Sequence, residues 1–201
     1  MGSHKVVIVK ELAEGGFGKV FLVRDPVSKF EFAMKQLLCQ TSEQTKEAQH
    51  EVDMLLRFRN HPYIMNLVDY GSSTSKLHNN MKQTLLLFPL YTRGTLWDVI
   101  EKLDENQDWP FSESRCIAFM LDACRGLAAI HKAGFAHRDI KPHNIMITDE
   151  TTAIIMDLGS AAPAQVRVRG RQQSLLLEEE AATKASAPYR APELTQVCRR
   201  P

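Results

Sequence analysis

The sequence lacks the patterns that mark several common classes of protein. It has only four cysteines, Cys39, Cys116, Cys124 and Cys198, and no two of them form a Cys-x-x-Cys pair. This spacing indicates neither a zinc ribbon nor a disulfide framework, so we expect reduced thiols inside the cell. No apolar run approaches the roughly 18 residues that a membrane-spanning helix needs, and the N-terminus lacks a signal-peptide pattern.

An excess of charge of either sign is also missing. The 25 basic and 24 acidic residues leave a formal net charge of +1, which provides no overall field for nucleic acid or an anionic membrane. We therefore expect no nucleic-acid partner and only local recognition of whatever binds. With 201 residues, of which 44% are hydrophobic, the chain can bury a sizeable core as one domain or two associated lobes.

Acidic, basic and amide side chains are concentrated in one stretch, residues 137–144, which reads His-Arg-Asp-Ile-Lys-Pro-His-Asn. Asp139 is suited to accept a hydroxyl proton, and Lys141 adds positive charge beside it. Asn144 and Asp157 offer hard oxygen atoms of the kind that Mg²⁺ prefers. Because phosphoryl transfer mainly requires an oriented hydroxyl and neutralised phosphate charge, this set predicts phosphoryl-transfer chemistry. Taken singly, each of these residues is also a common turn residue.

Two short apolar runs, residues 145–147 and 153–156, follow this stretch. They predict a β-hairpin whose polar turn is residues 148–152. A hairpin of this length brings Asn144 and Asp157 to the same end of the strand pair. We therefore expect the two candidate metal ligands to lie close together.

A glycine-rich segment, residues 13–19, separates two β-rich runs at residues 6–9 and 20–23. Glycine lets backbone N–H groups approach phosphate oxygens, although a flexible turn has the same composition. A dinucleotide-binding fingerprint would lead into a helix, whereas β-branched and aromatic residues follow Gly18. A Walker A loop would need Ser or Thr after Gly-Lys, where this sequence has Val20.

A lysine and a glutamate form the next candidate pair. Residues 30–37 predict a strand that carries Lys35, and residues 41–58 predict a helix in which Glu51 falls on or beside the apolar stripe. An inward carboxylate needs a partner, and Lys35 is available. Glu47 lies one helical turn earlier and is an open alternative to Glu51.

The remaining periodic segments predict plain structural elements. Residues 67–70 and 85–88 predict strands with a polar loop at residues 72–82 between them. Residues 94–100 predict a short helix and residues 112–131 a longer one, capped by Ser112. The longer helix has an apolar stripe that we expect to face the core: Cys116, Phe119, Met120, Ala123, Leu127 and Ile130.

These motifs, taken together, resemble those of the protein kinases. The catalytic loop of that superfamily is His-Arg-Asp-x-x-x-x-Asn, and its metal-binding turn is Asp-Phe-Gly, written here with Leu158. Its glycine-rich loop is matched at Gly15, Gly18 and Val20, with Ala13 in place of the first glycine. Residues 191–193, Ala-Pro-Glu, resemble the end of the activation segment. Six stretches are similar to the Numb-associated kinase family: residues 12–17, 93–97, 124–127, 136–139, 156–160 and 189–193.

The resemblance implies a fold of the α+β class with two lobes. Residues 1–88 would form the N-terminal lobe, a small antiparallel β-sheet with one helix. Residues 89–91 would form a hinge. Residues 92–201 would form an incomplete, mainly helical C-terminal lobe that contains the catalytic loop and the activation segment.

The resemblance also implies a reaction and its residues, namely transfer of the γ-phosphoryl group of MgATP to serine or threonine hydroxyls of a protein substrate. Asp139 would be the catalytic carboxylate with Lys141 beside the transferred phosphate, and Lys35, held by Glu51, would contact the α- and β-phosphates. Asn144 and Asp157 would bind Mg²⁺. We expect all these residues to share one cleft. The nucleotide would also contact Ala13, Gly15, Gly18, Val20, Ala33, Phe88, Pro89, Tyr91 and Met146.

The activation segment carries a basic run and several hydroxyl groups. The arginines are Arg167, Arg169 and Arg171, and residues 174–186 have a helical pattern. A solvated charged loop is the simplest interpretation. We also expect that phosphorylation would order the segment through Arg138 and these arginines. The candidate acceptors are Ser174, Thr183 and Ser186, and residues 186–189 would form the substrate platform.

Two departures from the resembled family affect what we expect. Protein kinases continue past Ala-Pro-Glu into several supporting helices, whereas this sequence ends at Pro201, so we expect low stability and weak activity. An N-myristoylation motif needs Ser or Thr where this sequence has Val6. Because an acylated member of the family lies on Golgi membranes, a Golgi or perinuclear location and peripheral membrane association stay open beside a cytoplasmic one. The oligomeric state is not predicted.

Two other function classes stay open at this point. A non-catalytic nucleotide-binding or scaffold protein would share the fold and compete for the partners of a full kinase. A small-molecule phosphotransferase of the aminoglycoside or choline type would share the His-x-Asp loop and the later asparagine. Lys141 and the Ala-Pro-Glu sequence at residues 191–193 speak against the second alternative.

Overall fold

The computed structural model describes residues 2–15, 18–75, 81–102, 110–148 and 151–194. The chain divides into two compact units, Met1–Thr92 and Arg93–Pro201. The first unit consists of antiparallel strands and one helix, and the second is mainly helical with short strand pairs. This is the α+β architecture expected from the sequence. The predicted hinge, residues 89–91, falls at the end of the first unit, and its hinge role stays a prediction.

The strands described in the first unit are β1 (Val7–Gly15), β2 (Gly18–Arg24), β3 (Glu31–Cys39), β4 (Asp69–Ser75) and β5 (Met81–Pro89). They form one antiparallel sheet in the order β1-β2-β3-β5-β4. The buried side chains Val23, Met34 and Leu87 form the core of this sheet. Burying side chains of this size contributes about 1.5 to 3 kcal/mol each, which favours the alternating apolar pattern of the central strands.

The helix of the first unit, α1 (Ser42–Arg57), begins at a complete capping box. The Thr41 hydroxyl accepts a hydrogen bond from the Gln44 backbone N–H at 3.1 Å, and the Gln44 side chain accepts one from the Thr41 backbone N–H at 3.2 Å. These bonds satisfy amide groups that have no partner inside the first helical turn. Val52 and Leu55 are buried, together with Glu51. The helix therefore presents one carboxylate on its apolar side.

The second unit contains three helices in its described part: α2 (Leu96–Glu101), α3 (Glu113–Lys132) and α4 (Arg171–Lys184). Its short strands are β6 (Phe135–Ala136), β7 (Ile145–Ile147), β8 (Ala153–Ile155) and β9 (Ala162–Pro163). β7 pairs with β8, as the predicted hairpin requires, and β6 pairs with β9. Phe119 of α3 packs with Ile147 and Ala153 in a buried cluster. This packing fixes the hairpin against α3.

Two predicted loops are shorter in the structure than the sequence suggested. β1 continues to Gly15 and β2 starts at Gly18, so most of predicted loop 13–19 is strand, and its residues 16 and 17 lie outside the described part. In predicted loop 72–82, β4 extends to Ser75 and β5 starts at Met81. Serine and glycine favour loops by propensity, but pairing of β4 with β5 along its whole length overrides that preference.

The predicted core stripe of α3 is wrong at one position. Met120 is 66% exposed, whereas Phe119, Ala123 and Ile130 are buried. Gly126 is buried in the same helix although the sequence did not single it out. The buried side of α3 is therefore rotated away from Met120, which periodicity alone did not resolve because apolar residues also occupy the neighbouring face.

Candidate active site

The catalytic-loop carboxylate, Asp139, is buried and fully engaged by neighbours in the second unit. Its Oδ2 atom lies 2.7 Å from the Lys141 Nζ atom and accepts a hydrogen bond from Asn144 Nδ2 at 3.0 Å. Its Oδ1 atom accepts a hydrogen bond from the Ser186 backbone N–H at 2.9 Å. The structure thus brings Asp139, Lys141 and Asn144 together, as the sequence predicted, and adds Ser186 from the activation segment.

These contacts determine the charge of Asp139. Burial alone would raise the pKa of this carboxyl group, but the hydrogen bonds from Lys141 and Ser186 outweigh burial and lower the pKa below its usual value. Asp139 is therefore ionised throughout the neutral range. An ionised carboxylate can orient a hydroxyl group and accept its proton.

His137 connects the catalytic loop to the strand that follows it. Its Nδ1 atom accepts a hydrogen bond from the Asp139 backbone N–H at 3.2 Å, so the Nε2 atom carries the proton and donates to the Met156 carbonyl at 3.1 Å. The ring is buried, and burial lowers the pKa of His137. A neutral imidazole with one defined tautomer therefore holds the backbone on both sides of the hairpin.

The candidate metal ligands lie at the same end of this hairpin. Ile145 pairs with Ile155, and the Met156 backbone N–H donates to the Asn144 carbonyl at 3.0 Å, next to Asp157. Asp157 has φ +62°, a left-handed conformation that aspartate tolerates better than most residues. The register of the hairpin thus explains how residues far apart in sequence become neighbours.

The oxygen atoms of these two residues fit a hard cation. The Asn144 Nδ2 atom donates to both the carbonyl and the carboxylate of Asp139, at 2.8 and 3.0 Å, which leaves the amide oxygen for a cation. One amide and one carboxylate suit Mg²⁺, which keeps several water ligands. Within the described ranges, no cluster of three or more His, Cys, Asp or Glu side chains could hold a metal.

The first unit holds the lysine and glutamate pair expected from the sequence. The Lys35 Nζ atom lies 2.8 Å from the Glu51 Oε1 atom, and both side chains are largely buried. Glu47 is exposed on the same helix. Lys35 thus pairs with Glu51, one of the two glutamates that the sequence left open, while the role of Lys35 toward a nucleotide stays a prediction.

The other nucleotide candidates of the first unit lie along its strands. Ala13 pairs with Val20, Gly15 pairs with Gly18, and Ala33 pairs with Phe88. Gly18 has φ +123°, and a Cβ atom there would collide with the Gln36 carbonyl oxygen. Pro89 is the last residue of β5, and Tyr91 follows it. In the second unit, Met146 lies in β7.

The activation segment is ordered by contacts that sequence reasoning missed. The Arg138 guanidinium lies 3.0 Å from the Glu180 carboxylate of α4, although we expected Arg138 to meet a phosphorylated residue. Ser174 is buried, and the Ser186 hydroxyl accepts a hydrogen bond from Lys141 at 2.6 Å. The separation of 42 positions between Arg138 and Glu180 explains the omission, because no local pattern connects them.

No helix in the described parts of the chain is both long and apolar enough to cross a lipid bilayer.

Comparison with known proteins gives a consistent result. A sequence model of the protein kinase domain matches residues 6–200. The chain is 40% identical over 195 residues to serine/threonine-protein kinase 16 of Rattus norvegicus, and equally to that of Homo sapiens, with 97% of this chain and 62% of each relative covered. It is 27% identical over 258 residues to a probable serine/threonine-protein kinase of Dictyostelium discoideum, covering 96% of this chain and 69% of that protein. The chain thus spans about three fifths of the length of its mammalian relatives.

Proposed function

The chain belongs to the protein kinase family, and from this premise we propose that it transfers the γ-phosphoryl group of ATP to serine or threonine hydroxyls of a protein substrate. One observation carries the proposal. The buried carboxylate of Asp139 is bonded to Lys141 and Asn144 and is ionised at neutral pH. Such a group is suited to orient an acceptor hydroxyl.

In the proposed reaction, Asp139 accepts or steers the proton of the substrate hydroxyl. Lys141, already 2.7 Å from this carboxylate, neutralises charge on the transferred phosphoryl group. The presence of lysine at this position favours serine and threonine as acceptors, by resemblance to kinases with that preference. Ser186 helps to hold Asp139 through its backbone N–H. The acceptor and its charge partner are thus held in place before substrate binds.

Asn144 and Asp157 are the residues that would hold Mg²⁺, through the amide oxygen and the carboxylate. When bound, Mg²⁺ would supply positive charge against the phosphate oxygens. The double hydrogen bond from Asn144 Nδ2 to Asp139 fixes the direction of the amide. His137 holds the preceding Met156 carbonyl at 3.1 Å and so limits movement of Asp157.

The nucleotide contacts proposed for the first unit begin with Lys35, which would bind phosphate oxygens while Glu51 holds it at 2.8 Å. Removing one member of a buried ion pair leaves an uncompensated charge, so both residues are needed. The backbone at Ala13, Gly15 and Gly18 is proposed to approach phosphate. The remaining nucleotide contacts that we propose are Val20, Ala33, Phe88, the Pro89 carbonyl and the Tyr91 backbone, with Met146 from the second unit.

The proposal is tested by measuring phosphate transfer from radiolabelled ATP to a peptide library that contains serine, threonine or tyrosine acceptors. We expect transfer to serine and threonine peptides. An Asp139→Asn variant should lose about 10² to 10⁴ in rate, because it removes the proton acceptor. Asp53→Asn is the matched control, since Asp53 is exposed on α1 and bonds to Gln49.

Two further variants address the cation. Asn144→Ala and Asp157→Asn should raise the Mg²⁺ concentration needed for half-maximal rate, while Asp53→Asn should leave it unchanged. Absence of any transfer at all Mg²⁺ concentrations, with wild-type folding intact, would refute the proposed function. Equal rates for Asp139→Asn and the parent chain would refute the role of Asp139.

A further inference from the structure

We propose that residues 165–171, here called the arginine strip, dock an acidic segment of the protein substrate. The proposal rests on the phosphotransfer function above and adds the chemical class of its substrate. The strip reads Gln-Val-Arg-Val-Arg-Gly-Arg, follows β9 and ends at Arg171, the first residue of α4. It contains three arginines and no acidic residue.

The arginines of the strip have no charge partner in the described chain. Arg167, Arg169 and Arg171 are exposed, and none of them forms an ion pair with a described acidic residue. Arg138 of the same unit is different, because it is largely buried and paired with Glu180. Three exposed arginines within five positions add local positive charge to a chain whose formal net charge is only +1.

The backbone of the strip is also available for pairing. Among the described hydrogen bonds, the N–H groups of residues 165–168 donate to no protein acceptor, and the Arg169 N–H donates only to the Gln173 side chain at 2.7 Å. Backbone N–H groups of this kind can donate hydrogen bonds to the carbonyl groups of a bound peptide. The strip thus offers both charge and backbone complementarity.

Apolar side chains alternate with the arginines along the sequence. Val166 and Val168 are 49% and 40% exposed, so both side-chain types are accessible to a bound molecule. Leu175 and Leu176 of α4 are exposed as well. A partner that combines carboxylates with apolar residues would therefore match the surface better than a partner with charge alone.

The elements on both sides of the strip are bonded to the catalytic loop or to the strand that leads into it. At its start, the Ala164 N–H donates to the Gly134 carbonyl at 2.9 Å, just after β9 pairs with β6, which leads into His137. At its end, α4 is held by the ion pair between Glu180 and Arg138. The Ser160 Oγ atom also donates a hydrogen bond to the Lys184 carbonyl of α4 at 2.8 Å. A bound segment would thus be attached to the same unit as Asp139.

An acidic peptide fits these observations better than nucleic acid or an anionic membrane. Those ligands are recognised mainly by a broad basic surface, whereas the strip is short. The exposed valines between the arginines and the available backbone N–H groups match a polypeptide that carries both acidic and apolar side chains.

The test begins with peptide binding, which requires no catalysis. Fluorescence anisotropy is measured for three labelled peptides of equal length with one central serine, flanked by glutamates, glutamines or lysines, in the absence of ATP. We expect the acidic peptide to bind at least about tenfold more tightly than the glutamine peptide, and the difference to shrink as salt is added. Equal binding of the acidic and glutamine peptides would overturn the proposal.

Charge-reversal variants identify the surface. Arg167→Glu together with Arg169→Glu should weaken binding of the acidic peptide about tenfold and favour the lysine peptide. Lys102→Glu with Lys132→Glu makes the same change of charge at exposed residues of the same unit, and binding should stay within about twofold of the parent chain. Equal losses in both double variants would overturn the assignment of the strip.

Kinetic assays connect docking with the reaction. The double variant Arg167→Glu with Arg169→Glu, here called the strip variant, should raise the KM for the acidic peptide about tenfold. Its kcat and its KM for ATP should stay unchanged. If no peptide is phosphorylated, the proposed function fails, and the anisotropy data still decide the docking proposal. Binding of a DNA duplex and of phosphatidylserine vesicles is measured in the same way. If either binds more tightly than the acidic peptide, and only the strip variant loses that binding, the proposal of an acidic peptide is overturned in favour of that ligand.

Discussion

At the scale of single residues, His137 is the most constrained side chain of the catalytic loop. It is buried, it accepts one backbone hydrogen bond, and it donates another. A proton added to Nδ1 would replace the acceptor of the Asp139 N–H with a second donor. Burial adds to this cost, which explains why the pKa of His137 is lowered.

The first prediction concerns the pH dependence of stability. An unfolded histidine takes up a proton below about pH 6.5, whereas folded His137 stays neutral to lower pH. The unfolded state then binds more protons, so the free energy of unfolding should fall as the pH drops below about 6.5, by up to about 1.4 kcal/mol per pH unit from this residue. Urea unfolding at pH 7.5 and pH 5.5 measures the change.

Two histidine variants identify the source of this pH dependence. His137→Gln should flatten the difference between the two pH values, while His143→Gln, at an exposed position, should not. Nitrogen chemical shifts of the imidazole at pH 6 should also show a neutral ring protonated at Nε2. A charged ring at that pH would contradict the prediction even if His137→Gln does not fold.

At the scale of elements, α1 shows how a local signal supports a distant contact. Its capping box forms at Thr41 and Gln44, and Glu51 lies farther along the same helix. Since Glu51 holds Lys35 at 2.8 Å, the order of the helix determines where the lysine side chain points. The cap therefore affects the candidate phosphate contact indirectly.

The second prediction concerns this cap. Thr41→Ala should reduce the free energy of unfolding by about 1 kcal/mol, because the Gln44 N–H loses its acceptor. Thr41→Ser keeps a hydroxyl oxygen and should stay close to the parent chain. Denaturant unfolding of both variants provides the measurement, and an equal loss for serine and alanine would show that the methyl group matters rather than the hydrogen bond.

Sequence reasoning predicted the elements that carry strong periodic patterns. The hairpin formed by β7 and β8 and helices α1 and α3 followed from apolar spacing. The cost of an unpaired inward charge predicted that Lys35 meets a glutamate of α1 but left Glu51 and Glu47 open. It failed for β4, where serine and glycine suggest a loop and only pairing with β5 produces a strand. It also missed the ion pair between Arg138 and Glu180, because that contact depends on the position of α4 in the fold.

At the scale of the whole molecule, the surface combines a low net charge with an apolar sheet edge. β1 is one edge of the described five-stranded sheet, and Ile8 on it is 60% exposed, with Val7 and Val9 also exposed. A formal net charge of +1 provides little repulsion between copies. Edge strands of this kind promote association between sheets.

The third prediction follows from this edge. Ile8→Lys should slow aggregation about twofold or more without changing the midpoint of urea unfolding, because the side chain is exposed and the added charge disfavours edge pairing. Lys10→Ile, on the same strand, should have the opposite effect. Light scattering over time at a fixed concentration measures both variants, and no difference between them would exclude β1 as the associating surface.

The imidazole of His137 also couples the motion of two segments of the main chain. The ring is bonded on one side to the main chain of Asp139 and on the other to that of Met156, the neighbour of Asp157. Thermal fluctuations of the two segments should therefore be correlated, since neither can shift far without pulling the ring. Relaxation measurements on the amides of Asp139 and Asp157 should then give one shared exchange rate, where an uncoupled loop and strand would give two.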